Sequence, residues 1–127
     1  MNEPTIRDVE DLTVYRKAYA VSLEIHRASL GFPKIEQYAL ADQMRRASKS
    51  ICANIVEGFA KKRQSVPEFR RYLTIALGSS DEMQLWLEYC RDLGYLKQDQ
   101  MAPLQSEYSV ISRMIFGLNR SWTEKTS

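Results

Sequence analysis

Three groups of side chains in this chain have the types and spacing to do chemistry. Along LADQMRRASKSICANIVEGF, residues 40–59, Ser50, Asn54 and Glu57 step by four and three, with Arg45 and Arg46 upstream. That period lines them up on one side of a helix. Buried, such a line must be matched by hydrogen-bond partners from another helix. The second group, Lys61, Lys62, Arg63, Arg70 and Arg71, supplies cations for phosphate. The third comprises His26, Cys52 and Cys90, the groups able to act as base or nucleophile.

The third group does not assemble into a catalytic constellation. His26 is the only histidine, which excludes a di-iron bundle with two Glu-x-x-His motifs. Its nearest acid, Glu24, is two residues away and projects elsewhere from a helix. There is no glycine-rich phosphate loop and no CxxC pair. Cys52 and Cys90 read as core thiols about 20 Å apart along the axis at 1.5 Å per residue, too far to bridge. No enzymatic activity, cofactor or metal is expected.

The elements that carry these groups follow from apolar spacing. Residues 1–10 have none and read as an arm; 11–122 form one helical domain; 123–127 read as a frayed tail. Asp11 or Thr13 can cap a first helix whose seam is Val14, Ala18, Val21, Ile25 and Ala28, ending near Gly31 and Pro33. A second helix runs from about Glu36 to about Lys62 on Leu40, Met44, Ala47, Ile51 and Ile55. Ser65 with Glu68 makes a capping box, and Pro67 sits in the first turn of a third helix reaching Leu93, with Gly94 as its stop. Asp99 can cap a fourth, whose Met101, Leu104, Tyr108, Ile111, Ile115, Leu118 and Trp122 keep a heptad. No strand pattern occurs. Four amphipathic helices with short links predict an all-α, antiparallel up-down-up-down four-helix bundle.

The tight second turn also predicts a register, with residue i of the second helix level with about 128 − i of the third. This sets Arg45 and Arg46 beside Asp81 and Glu82, Ser50 beside Gly78, and Asn54 beside Thr74. Arg45, Arg46, Ser50, Asn54, Glu57 and Glu82 then have two readings, a polar network fixing register or a ligand or nucleic-acid site. The third helix has a second apolar set, Leu77, Leu85, Trp86, Tyr89 and Leu93, which one bundle face cannot bury. An oligomer is expected, with Trp86 and Tyr89 as interface residues. Trp86 and Trp122 read as packing residues ahead of base-stacking ones.

Charge is uneven. The formal net charge is +2, but residues 43–73 hold eight basic against two acidic residues, +6, leaving −4 elsewhere. Lys61, Lys62, Arg63, Arg70 and Arg71 flank the second turn and form the candidate nucleic-acid surface, with a solvated charge run as the alternative. The first residues, MNEPTIRDVEDL, are not a signal peptide, and no window is apolar enough to span a membrane, so a cytoplasmic location is expected.

The chain resembles the small bacterial four-helix-bundle proteins encoded by intervening sequences of large-subunit ribosomal RNA genes. The accessory protein of diversity-generating retroelements belongs to the same structural group. The resemblance spans about residues 11–120 and is sharpest at Arg45, Arg46, Ser50, Ile51, Asn54, Ile55, Glu57, Gly58, Gly78, Ser79 and Glu82. It departs at Lys49, Cys52 and Val56. What it implies is a ring-like homopentamer without known catalytic activity. For the retroelement members it also implies binding to nucleic acid and to a reverse transcriptase. The rival expectation is a structural or protein-interaction oligomer whose basic rim only keeps it soluble.

Overall fold

The computed structural model describes residues 12–124; the expected N-terminal arm and the last three residues of the expected tail lie outside them. Helix α1 spans Thr13–Leu30, α2 Leu40–Lys61, α3 Val66–Asp92 and α4 Gln98–Glu124. Each packs against two neighbours in a closed square, α1–α2, α2–α3, α3–α4 and α1–α4. The α2–α3 seam is the most extensive and α1–α4 the thinnest. Cross-helix pairs fix the antiparallel sense: Lys49 with His26, Ser79 with Ser50, Ser112 with Ser80, and Phe69 with Trp122.

The apolar spacing reaches the interior as expected. Val14, Ala18, Val21 and Ile25 of α1, the α2 seam from Leu40 to Ile55, and Met101 to Ile115 of α4 are all buried. From α3 come Phe69, Leu73, Ala76, Met83, Leu87 and Cys90, with the Cys90 thiol donating to the Met44 thioether at 3.3 Å. Each fully buried aliphatic side chain contributes about 1.5–3 kcal/mol relative to exposure. Ion pairs contribute little. Among the described residues only Lys17–Glu107, at 3.6 Å, joins two helices; the rest are local.

Element ends depart from expectation in four places. Leu12 is the N-cap of α1 and offers no side-chain cap. The segment expected to open α2 is a 3-10 turn over Lys34–Glu36, and α2 begins only at Leu40. Gln100 caps α4 by accepting from the Lys97 backbone N–H at 2.9 Å, so Asp99 lies inside the helix. Pro103 also lies within α4, at its sixth residue, past the unpaired N–H groups of the first turn, so the helix gives up one i→i−4 bond there. The α3 capping box is half made. Ser65 Oγ accepts from the Glu68 N–H at 3.2 Å, but the Glu68 carboxylate turns to Arg71.

Two glycines are there for geometry. Gly94 has φ +79°, and behind it Tyr95 N–H donates to Cys90 O at 2.8 Å, closing α3 as a left-handed cap. Gly58 marks the close approach of α2 to α3; a Cβ there would lie 2.9 Å from Tyr72 Cβ and 3.2 Å from Phe69 O. Gly78, expected at a close approach to Ser50, faces open space. Ser79 meets Ser50 instead, at 3.1 Å. A register of 129 instead of 128 rotates the contact by one residue, about 100° around the helix.

Candidate nucleic-acid interface

Antiparallel packing brings three distant parts of the chain to one end of the bundle: the start of α1, the α2–α3 turn and the end of α4. Phe69 and Trp122 pack edge to face there, with ring centroids 5.2 Å apart. Trp122 is thus a packing residue. Around them lie Lys61, Lys62, Arg63, Arg70 and Arg71, and with them Arg16, Lys17 and Arg120. Taking residues 12–20, 54–72 and 114–124 as this end, eight basic residues face three acidic ones, a net of +5. The remaining described residues hold eight basic against nine acidic, −1.

The five expected cations differ in how they are held. Lys61 Nζ is 3.9 Å from Glu57, and Lys62 Nζ lies 4.5 Å above the Phe59 ring. Arg63 is exposed in the turn. Arg70 donates to Asn119 Oδ1 at 2.9 Å, which fixes it against α4. Arg71 donates to both Glu68 oxygens and lies over the Tyr72 ring at 4.6 Å. That hydrogen bond holds the Glu68 carboxyl below the usual carboxylate range and raises Arg71. Neither Arg70 nor Arg71 pairs with Glu57, which Lys61 takes one turn away on the same helix. Arg16, Lys17 and Arg120 were missed because they are scattered through the sequence; only the topology gathers them.

The polar line divides into separate contacts. Asn54 Nδ2 donates to Ser50 O and Ser50 Oγ at 2.8 and 3.0 Å, and Ser79 closes the group from α3. Neither Arg45 nor Arg46 reaches Asp81 or Glu82, which corrects the expected cross-helix pair. Arg45 turns to the α1–α2 connection, donating to Ser29 Oγ at 2.8 Å, Gln37 Oε1 at 3.3 Å and Gln37 O at 2.7 Å. The connection folds back over α2, so its carbonyls are nearer than the acids of α3. Arg46 pairs with Asp42 at 2.9 Å on the surface. Glu82 accepts from Trp86 Nε1 at 2.8 Å, and Asp81 meets the Ser112 hydroxyl at 2.9 Å.

The reactive groups are engaged in structure. His26 Nδ1 accepts from the Lys49 ammonium at 3.0 Å, tying α1 to α2. Burial pushes the Cys52 thiol up, and the Cys90 thiol up to about 12, so both stay protonated. Among the described residues no group of histidine, cysteine and carboxylate side chains is placed to hold a metal, and no helix is long and apolar enough to cross a membrane.

At the opposite end, Trp86, Tyr89 and Leu93 line a groove with Glu36, Leu40 and Gln43, about 400 Å³ in volume. Trp86 is half-buried, and its ring lies tilted against that of Tyr89 with centroids 6.0 Å apart. Tyr89 and Leu93 are 50% and 52% exposed, and Ile35 and Tyr38 in the α1–α2 connection are 82% and 94% exposed. These last two carried no spacing signal, since they sit outside the four α-helices.

The protein closely matches the fold of a crystal structure described as a protein of unknown function from the S23 ribosomal protein family of Bacteroides thetaiotaomicron VPI-5482. The TM-score is 0.76 at 23% identity, covering 84% of this chain and 95% of that one. Among curated proteins, none matches the chain. The family model described as 23S rRNA-intervening sequence protein matches residues 10–117, nearly the whole helical domain. The chain therefore belongs to the 23S rRNA-intervening sequence protein family.

Proposed function

We propose that the protein is a non-enzymatic, homo-oligomeric accessory protein that binds RNA or DNA through its cationic end. The observation that carries this reading is the gathering of eight basic residues from three chain segments at one end, with a local net charge of +5. Phosphate contacts are individually weak and sum. A pentameric ring presents that end five times. The oligomer is supported by the exposed apolar side chains Ile35, Tyr38, Tyr89 and Leu93, which a single copy leaves in water. A reverse transcriptase, the protein partner implied by the retroelement resemblance, is a further proposed partner.

Changing Lys61, Lys62 and Arg63 together to alanine tests the reading. The side chains lie at the surface or in the turn, so folding should change by under about 1 kcal/mol. Binding to a mixed-sequence RNA or DNA should weaken strongly. The slope of log affinity against log salt should fall by about 0.7 for each lost single-strand phosphate contact. Parental affinity in the triple variant removes this end as the site, and a parent that fails to bind at low salt removes nucleic-acid binding altogether. The second reading, a protein-interaction oligomer without nucleic acid, is favoured by the same apolar groove and survives that last result.

A further inference from the structure

Arg71 is held differently from the other cations of the α2–α3 end. Its Nε and Nη2 donate to the two Glu68 oxygens at 3.2 and 3.3 Å, which uses one forked edge of the guanidinium. One face of the group lies over the Tyr72 ring, 4.6 Å from the centroid. Tyr72 is half-buried with its Cβ against Gly58, so the ring is rooted on α2, whereas the Arg71 side chain is 54% exposed. Glu68 can serve this arrangement because the Ser65 N–H, its partner in a full capping box, donates to Lys61 O at 2.9 Å. A phosphate would need the same fork that the carboxylate takes, so Arg71 cannot clamp one through that edge while the pair lasts. What remains is the outer face of a flat, oriented cation resting on an aromatic ring.

We propose that Arg71, backed by Tyr72, is a stacking platform for an unpaired base, which makes single-stranded RNA or DNA the ligand of the cationic end. The inference rests on the nucleic-acid reading above and names its ligand class. Bases inside a duplex are already stacked and paired, so a single strand is what presents a base face. Guanidinium planes and aromatic rings are both surfaces on which such bases stack. Fixing the group beforehand avoids the cost of ordering it on binding. Phosphate contacts then fall to Lys61, Lys62 and Arg63 around the turn. Lys62 also lies over a ring, that of Phe59 at 4.5 Å, but an ammonium has no plane and offers charge alone. Glu57 and Glu68, the carboxylates of this patch, are paired with Lys61 and Arg71, so neither opposes the strand as an uncompensated charge.

The test measures the full chain binding a labelled mixed-sequence 20-nucleotide single strand, the same strand in a duplex, and an abasic strand of equal phosphate number. Arg71→Lys keeps the charge and removes the plane, Tyr72→Leu removes the backing ring, and Lys62→Ala removes a charge. Circular dichroism melts establish that all three variants fold. Arg71→Lys and Tyr72→Leu should each weaken single-strand binding at least about fivefold. Both should change the duplex and the abasic strand by less than about twofold and leave the salt slope unaltered. Lys62→Ala should weaken all three ligands and lower the single-strand slope by about 0.7. Parental single-strand affinity in either Arg71→Lys or Tyr72→Leu overturns the platform and leaves the nucleic-acid reading intact. An equal loss on all three ligands also overturns it, because the residue then acts on phosphates. A parent that binds none of the three ligands at low salt ends both readings together.

Discussion

Arg45 reaches across from α2 to donate to Ser29 Oγ at the end of α1, at 2.8 Å, and the same guanidinium holds both the side chain and the backbone of Gln37. Gln37 in turn donates to Ser29 O and Phe32 O, so one cation secures the whole α1–α2 connection. Its neighbour in sequence, Arg46, makes only a surface pair with Asp42. Arg45→Met should therefore cost about 2 kcal/mol, since hydrogen bonds to a charged donor are lost from a partly buried site. Arg46→Met should cost under about 0.5 kcal/mol. Urea unfolding of the two variants measures the contrast, and equal costs would contradict the latch.

Two of the helical glycines, Gly58 and Gly78, should respond in opposite directions. At Gly58 a methyl group meets Tyr72 Cβ and Phe69 O, neither of which can rotate away, so Gly58→Ala should destabilise by about 1–3 kcal/mol despite alanine's better helix propensity. At Gly78 nothing lies within 4 Å, and Gly78→Ala should stabilise by about 0.5–1 kcal/mol. Thermal unfolding of both decides it.

The bundle itself was legible because each seam repeats over several turns, and the heptad of α4 goes inside from Met101 to Ile115 as the spacing requires. The Lys61–Arg71 cluster was legible because it is contiguous. What could not be read depends on rotation and on chain path. The partner of Arg45 is set by the course of residues 31–39, which carry no periodicity. A register error of one residue misassigned the close approach to Gly78. Arg16 and Arg120 become neighbours of the turn only once α1 and α4 are placed beside it.

Alkaline pH should destabilise the protein through two buried acids. Burial raises the Cys90 thiol from 9.0 to about 12, and raises the Tyr108 phenol above its ordinary 10.0. Both protons are held in the fold and released on unfolding. The stability they support is complete below about pH 9 and is lost as pH rises, by about 1.4 kcal/mol per pH unit for each group then titrating in the unfolded chain. The Tyr108 hydroxyl has no hydrogen-bond partner among the described residues. Tyr108→Phe should thus be neutral to about 1 kcal/mol stabilising at pH 7 and should flatten the decline above pH 10. Chemical denaturation from pH 7 to 11.5 tests both signs.

If the proposed oligomer forms through the exposed apolar side chains, removing them should dissolve it without unfolding the subunit. Tyr89→Lys with Leu93→Lys places cations at the C-terminal end of α3, where the helix dipole favours them. Light scattering should report loss of the oligomer, with helical circular dichroism retained. An assembly unchanged in mass would exclude this groove as the contact.

The unequal seams of the square set an order of opening. α1 closes the bundle against α4 through its smallest interface, whereas α2 and α3 are joined along nearly their full lengths. Detaching α1 exposes Val14, Ala18, Val21 and Ile25 but leaves three helices packed on one another. Amide protons of α1 should therefore exchange with solvent through a partial opening, earlier than those in the middle of α2 and α3, whose release requires the whole domain to unfold. The His26–Lys49 contact and the Arg45 latch then act as kinetic clasps on the one helix able to leave first.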